Sequence, residues 1–132
     1  MTTAGDIQAV LVYDDIEASQ RYLVDTFGFE PGALHRTPDG TVVHGEVSTG
    51  STIIWMHRVT RPHGLDSPKH IGYASGQLVV LVPDVDTHYR RVVAAGGKPT
   101  RPSPIDQEYG LRDYSLFDSE GHLWTFATPL GT

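Results

Sequence analysis

YGLRDYSLFDSEGHLWTFATP, residues 109–129, reads as strand, tight turn, strand. Tyr114, Leu116 and Phe117 form an apolar run, and Asp118-Ser119-Glu120-Gly121 interrupts it with turn residues. Gly121 supplies the positive φ that such turns need. Leu123, Trp124 and Phe126 then resume with residues that favour strands. A cruder copy of this hairpin stands earlier in the chain, where TVVHGEVS (41–48) and TIIWMH (52–57) meet at Gly50.

The repetition extends outward from the hairpins. Ile7 to Tyr13 is a β-branched run followed by Asp14-Asp15, either of which suits a helix N-cap. Ile16, Tyr22, Leu23 and Phe27 recur at helical spacing, and Gly28 ends the helix in a left-handed conformation. Ala33 to Arg36 reads as a weak edge strand, and Pro38-Asp39-Gly40 as a turn. In the second half, Gln77 to Val82 is a strand, and Asp84 opens a helix that carries Val85, Tyr89, Val92 and Val93 on one face. Gly96-Gly97 stops that helix, and Pro99, Pro102 and Pro104 make a rigid connection into the final hairpin. Asp15 and Asp84 stand 69 residues apart (84 minus 15). At the same offset Gln8 meets Gln77, Arg21 meets Arg90, Gly28 meets Gly97 and Trp55 meets Trp124. Matching punctuation over a whole unit indicates a duplicated β-α-β-β-β module.

The expected fold class is α+β, a single domain of two such modules, residues 5–57 and 77–130, enclosing a barrel-like cavity. The connection 58–76 holds Pro62, Gly64, Pro68, Gly72 and Gly76 without periodicity, and reads as a linker or a loop with a task.

Composition excludes several classes. The formal net charge is −6, which argues against nucleic acid, whose partners carry a basic stripe. There is no cysteine, hence no disulfide, thiolate metal site or cysteine nucleophile. No stretch is apolar over the roughly 18 residues of a membrane span, and the start MTTAGDIQAV lacks the pattern of a signal peptide. The expectation is a cytoplasmic protein that engages neither membrane nor nucleic acid. No Gly-x-Ser-x-Gly elbow and no phosphate-binding glycine loop is present.

The first helix, DIEASQRYLVDTFGF (15–29), the closing DSEGHLWTF (118–126) and the paired modules resemble the vicinal oxygen chelate superfamily. That superfamily holds glyoxalase I, extradiol dioxygenases, fosfomycin-resistance enzymes and bleomycin-resistance binding proteins. The resemblance implies a homodimer, with modules paired within or between chains. It also implies ligand positions on the first and last strand of each module. In this sequence those positions are Gln8, Met56 (with Trp55 as the neighbouring choice), Gln77 and Thr125. Two amides, a thioether and a hydroxyl bring no charge and little affinity for a divalent ion, so neither a metal nor another cofactor is expected.

Strand alternation assigns the remaining positions. If Thr125 faces the cavity, Val10, Val12, Ile54, Val79, Leu81 and Leu123 face it too, with Arg112 and Tyr114 at the rim. Trp124, Phe126 and Trp55 then pack beneath the helices, and Asp113 points inward only if the register slips by one. His44, Glu46 and His57 share one sheet face. The function these residues suggest is metal-independent binding of a small organic molecule, of the bleomycin-resistance kind. Apolar walls give affinity, Gln8 and Gln77 give oriented hydrogen bonds, and Glu46, Glu108 or Asp113 can meet a cation. The alternative is a glyoxalase-like lyase, isomerase or dioxygenase using a non-standard metal or a base such as His44 or Glu46.

Overall fold

The structure is a computed structural model that describes residues 3–131. Its elements run β1 (Val10–Tyr13), α1 (Ile16–Phe27), β2 (Glu30–Arg36), β3 (Val42–Ser48), β4 (Ile53–Arg58), α2 (Pro68–Ile71), β5 (Gln77–Leu81), α3 (Val85–Ala94), β6 (Ile105–Asp106), β7 (Leu111–Phe117) and β8 (Leu123–Pro129). The strands form two four-stranded sheets, ordered β1-β4-β3-β2 and β5-β8-β7-β6. In each sheet the first strand pairs in parallel with the last strand of the hairpin, and the rest is antiparallel. This is the expected α+β pair of β-α-β-β-β units. The sheets do not close into a barrel, because β1 and β5 each end a sheet with one edge unpaired.

The helices start and stop where their side chains dictate. Asp15 accepts from the Ala18 amide and Asp84 from those of Asp86 and Thr87, so each carboxylate satisfies amides that the first helical turn leaves without partners. Gly28 closes α1 at φ +80°, and its amide reaches back to the Leu23 and Val24 carbonyls. One core spans both units. Leu23 and Phe27 of α1, Val47 and Met56 of the first sheet, and Val92, Tyr114, Trp124 and Phe126 of the second unit are at most 2 % exposed. Phe27 packs edge-on against Trp124 and Phe126 at ring distances of 5.6 and 5.0 Å. Each such side chain contributes about 1.5–3 kcal/mol over leaving it in water.

Several expectations are corrected in detail. The first strand begins at Val10, and Ile7 is almost fully exposed. The weak edge strand at Ala33 to Arg36 is longer, beginning at Glu30, with a bulge between Pro31 and Leu34. The connection after β4 is not featureless: it holds a 3₁₀ turn at Arg61–His63 and the short α2. A two-residue strand, β6, lies where only a rigid connection was expected. Val93 is 45 % exposed and leaves the buried face of α3 to Val85 and Val92.

Candidate functional site

Each sheet has a helix-covered face and an open face. On the second sheet the helix side takes Tyr114, Leu116, Trp124 and Phe126, and the open side takes Gln77, Val79, Asp113, Ser115, Leu123 and Thr125. The centre of the open side is a polar chain. Thr125 Oγ1 lies 2.7 Å from Gln77 Oε1 and 2.6 Å from Ser115 Oγ. Thr125 donates to Gln77 and accepts from Ser115. The Gln77 amide nitrogen is thereby left pointing its donors at whatever enters. Beside this chain Asp113 is 6 % exposed. Gln107 Nε2 donates to one of its oxygens at 3.0 Å and the Tyr109 hydroxyl to the other at 2.5 Å. That bond to Asp113 is the main reason the Tyr109 phenol is harder to ionise than usual. Together these residues line a hollow of about 350 Å³.

Gln77 also borders an adjoining hollow of about 320 Å³. Its walls include Val10 and Val12 of β1 and Leu123 of β8, and the segment from Pro68 to Gly76 lies over it. That segment is fastened at one end, where Ser67 Oγ donates to Glu120 Oε1 at 2.6 Å.

The open face of the first sheet differs in character. Cross-strand register places Val10, Trp55 and Glu46 in one row, and Val12, His57, His44 and His35 in the next. Trp55 is 41 % exposed, and His44 stands edge-on to it at 5.9 Å. The Glu46 carboxylate makes no hydrogen bond or ion pair among the described residues. His44, Glu46 and His57 do share one face, as their spacing required.

The 69-residue offset fails in one place, and this corrects the site. Four residues separate Ser48 from Ile53, whereas five separate Phe117 from Leu123. The longer second turn advances β8 by one, so the strand partner of Val10 is Trp55 while that of Val79 is Thr125. A one-residue slip inverts both faces of a strand. Met56 and Ile54 therefore lie in the core, at 0 and 4 % exposure, and do not line the open face. Trp55 was expected beneath the helix and instead occupies the position equivalent to Thr125. Trp124 is buried as expected. Tyr114 is not at a rim: it is 1 % exposed, and its hydroxyl lies 2.5 Å from His88 Nδ1. Arg112 sits on the helix side, paired with Asp86 and Asp106 at 3.0 Å each. Asp113 takes the inward position that Arg112 and Tyr114 leave. Val79 and Leu81 do face the open side, 50 and 63 % exposed. Gln8 is exposed and spends its amide on the Ile53 carbonyl at 2.8 Å.

Sequence reading missed Tyr109, Gln107 and Ser115. Alternation within β7 places Ser115 on the face of Asp113, whereas Gln107 and Tyr109 precede that strand and carry no such signal.

The four family ligand positions thus hold Gln8, Trp55, Gln77 and Thr125. An indole offers a divalent ion no lone pair, the Gln8 amide is turned to backbone, and the Gln77 oxygen is already bonded to Thr125. This donor set does not fit the metal the fold family implies. Among the described residues no group of three or more His, Asp or Glu is placed to hold an ion.

Comparison with known proteins agrees with the fold. TioX from Micromonospora sp. ML1 is 34 % identical, with 97 % of this chain and 98 % of that chain covered at a TM-score of 0.70. A glyoxalase-related enzyme from Clostridium phytofermentans shares the fold at 12 % identity, 98 % coverage of both chains and a TM-score of 0.76. A glyoxalase/bleomycin resistance protein/dioxygenase from Nocardioides does so at 20 % identity, with 98 and 87 % covered and a TM-score of 0.68. No curated protein matches the chain. Residues 7–126 match the family described as the Glyoxalase/Bleomycin resistance protein/Dioxygenase superfamily, and the chain belongs to that superfamily.

Proposed function

We propose that this protein binds a small organic molecule on its open sheet faces without a metal ion. One observation carries the reading: on the second sheet, Thr125 and Ser115 fix the Gln77 amide so that its N–H donors face a hollow lined mainly by polar groups, among them Asp113, Gln107 and Tyr109. Oriented polar groups give a small-ligand site its direction, and the adjoining hollow walled by Val10, Val12 and Leu123 adds apolar contact. Asp113 is a second polar anchor, and Trp55 on the first sheet is a flat surface for stacking.

The reading includes a homodimer. Val10, Val79, Leu81 and Trp55 each expose 41 % or more of their surface on or beside these faces. A second copy would cover them and supply the opposite wall of each site, one module facing the other module of its partner. The division into modules 5–57 and 77–130 belongs to the same proposal.

The test is equilibrium binding, followed by tryptophan fluorescence, with bleomycin and a panel of aromatic antibiotics, on wild type and Gln77→Ala. The expected result is saturable quenching that weakens at least about tenfold in the variant, with the ligand recovered unchanged. Equal affinity in both proteins overturns the site, and conversion of the ligand replaces binding by turnover.

A further inference from the structure

The unpaired edge of β5 borders a further cavity of about 500 Å³ that shares only Val79 with the hollow around Gln77 and Leu78 with the adjoining one. Its floor is apolar, formed by Leu78, Val80 and Val82 over the buried rings of Phe27 and Trp124. Its polar rim holds Arg91 on one side and Ser51 on the other. Among the described residues no aspartate or glutamate lines it, although the chain carries 16 acidic residues against 10 basic ones.

Arg91 is an exposed cation that makes no hydrogen bond or ion pair among the described residues. The guanidinium lies against Gly28, with Cζ 2.5 Å from where a Cβ would stand. It faces the C-terminal end of α1, which has no basic residue in its own last turn. His88, the other titratable group on the rim, has both ring nitrogens engaged, with Tyr114 and with the Phe27 carbonyl. Burial lowers its pKa, which favours the neutral imidazole. Arg91 is therefore the one charge this cavity presents, and all its N–H donors are unspent.

We propose that the cavity binds an amphipathic organic monoanion, a carboxylate bearing a medium alkyl chain or a single ring. Its head would pair with Arg91 and its tail would lie on Leu78, Val80 and Val82. A guanidinium matches a carboxylate with two parallel N–H···O bonds, and the acid-free lining leaves nothing to repel the anion. The proposal goes beyond the ligand site on the open faces and does not depend on it.

Decanoate is the probe, titrated by calorimetry against wild type, Arg91→Met and Gln77→Ala, with decanol as the uncharged control. The expected result is one equivalent of decanoate bound by wild type and by Gln77→Ala. Arg91→Met should bind it about tenfold or more weakly while its affinity for decanol stays that of wild type. Arg91 is exposed, so the variant should fold, and retention of its melting temperature checks this. Absence of saturable decanoate binding to wild type overturns the proposal, as does equal decanoate affinity in Arg91→Met. Loss of decanoate binding in Gln77→Ala would move the anion to the open face and overturns it too.

Discussion

The Tyr13 hydroxyl donates to Asp118 Oδ2 at 2.5 Å across 105 residues of chain, joining β1 to the β7–β8 turn inside the shared core. The same carboxylate oxygen accepts from Trp124 Nε1 at 3.0 Å, and its other oxygen takes the Glu120 and His122 amides. Burial first, and the neighbouring Asp118 next, push the Tyr13 phenol well above its usual range, so it stays a donor. Tyr13→Phe should cost roughly 1–3 kcal/mol, because it strips one bond from a buried carboxylate while keeping the ring. Asp118→Ala should cost more than Tyr13→Phe, since it leaves four donors without an acceptor. Urea denaturation of both variants measures the difference.

Glu120 makes a second tie between the modules. It accepts from the Asp14 and Asp15 amides at 2.6 and 2.8 Å, from Ser67 at 2.6 Å and from Ser19 at 3.2 Å. Ser67→Ala strips one donor from the buried Glu120 carboxylate, so it should cost roughly 1–3 kcal/mol and free the start of the segment over the β1–β5 hollow. Faster hydrogen exchange at Ser67 to Gly72, with α1 unchanged, is the expected signature.

His88 makes stability depend on pH. Its ring packs on Phe126 at 4.2 Å, and burial lowers its pKa, with Arg91 adding to the effect and the Phe27 carbonyl opposing it. The folded pKa is therefore below the unfolded value of about 6.5. Above that value both states are neutral and the group's contribution is fully present. As pH falls below it the unfolded state takes the proton first, and stability declines until the folded pKa is passed. Urea midpoints for wild type should fall more steeply between neutral and mildly acidic pH than those for His88→Gln. Parallel slopes would remove His88 from the account.

Much of this arrangement was legible in the chain. Helix limits followed from Asp15, Gly28 and Asp84, which cap through local bonds that need no tertiary context. The duplication followed from the same punctuation. What misled was the assumption of a constant offset, because a turn one residue longer changes no composition yet turns Met56 inward and Trp55 outward. β6 stayed hidden because two residues carry no periodicity. The environment of Asp113 depends on Tyr109 and Gln107, which a loop brings to it and alternation within β7 alone does not identify.

Gly45 tests the packing of α1 on the first sheet. A Cβ there would stand 2.8 Å from Ile16 Cγ2 and 3.0 Å from Leu34 Cδ2. Ile16 is 2 % exposed and has little room to yield. Gly45→Ala should therefore destabilise by about 1–3 kcal/mol through overpacking, despite its better strand propensity. Thermal melting gives the sign directly, and a raised melting temperature would mean that the helix can shift outward without loss.

Trp55 stands where a ligand would be needed, and Gln77 has its oxygen committed to Thr125, so extraction with a chelator should change neither melting temperature nor ligand affinity. Titration with nickel, zinc, manganese and iron(II) should likewise raise the melting temperature by no more than buffer salt does, because an ion bound to the folded state alone would stabilise it by mass action. Replacing Trp55 by Glu and Thr125 by Glu puts a carboxylate at both equivalent positions. That double variant should gain a metal-dependent rise in melting temperature that wild type lacks, since the proposed dimer sets the first module of one copy against the second of its partner and replacing Thr125 frees the Gln77 oxygen. A metal-dependent rise in wild type would show that the donors are met some other way, and would return metal-assisted chemistry to the open faces.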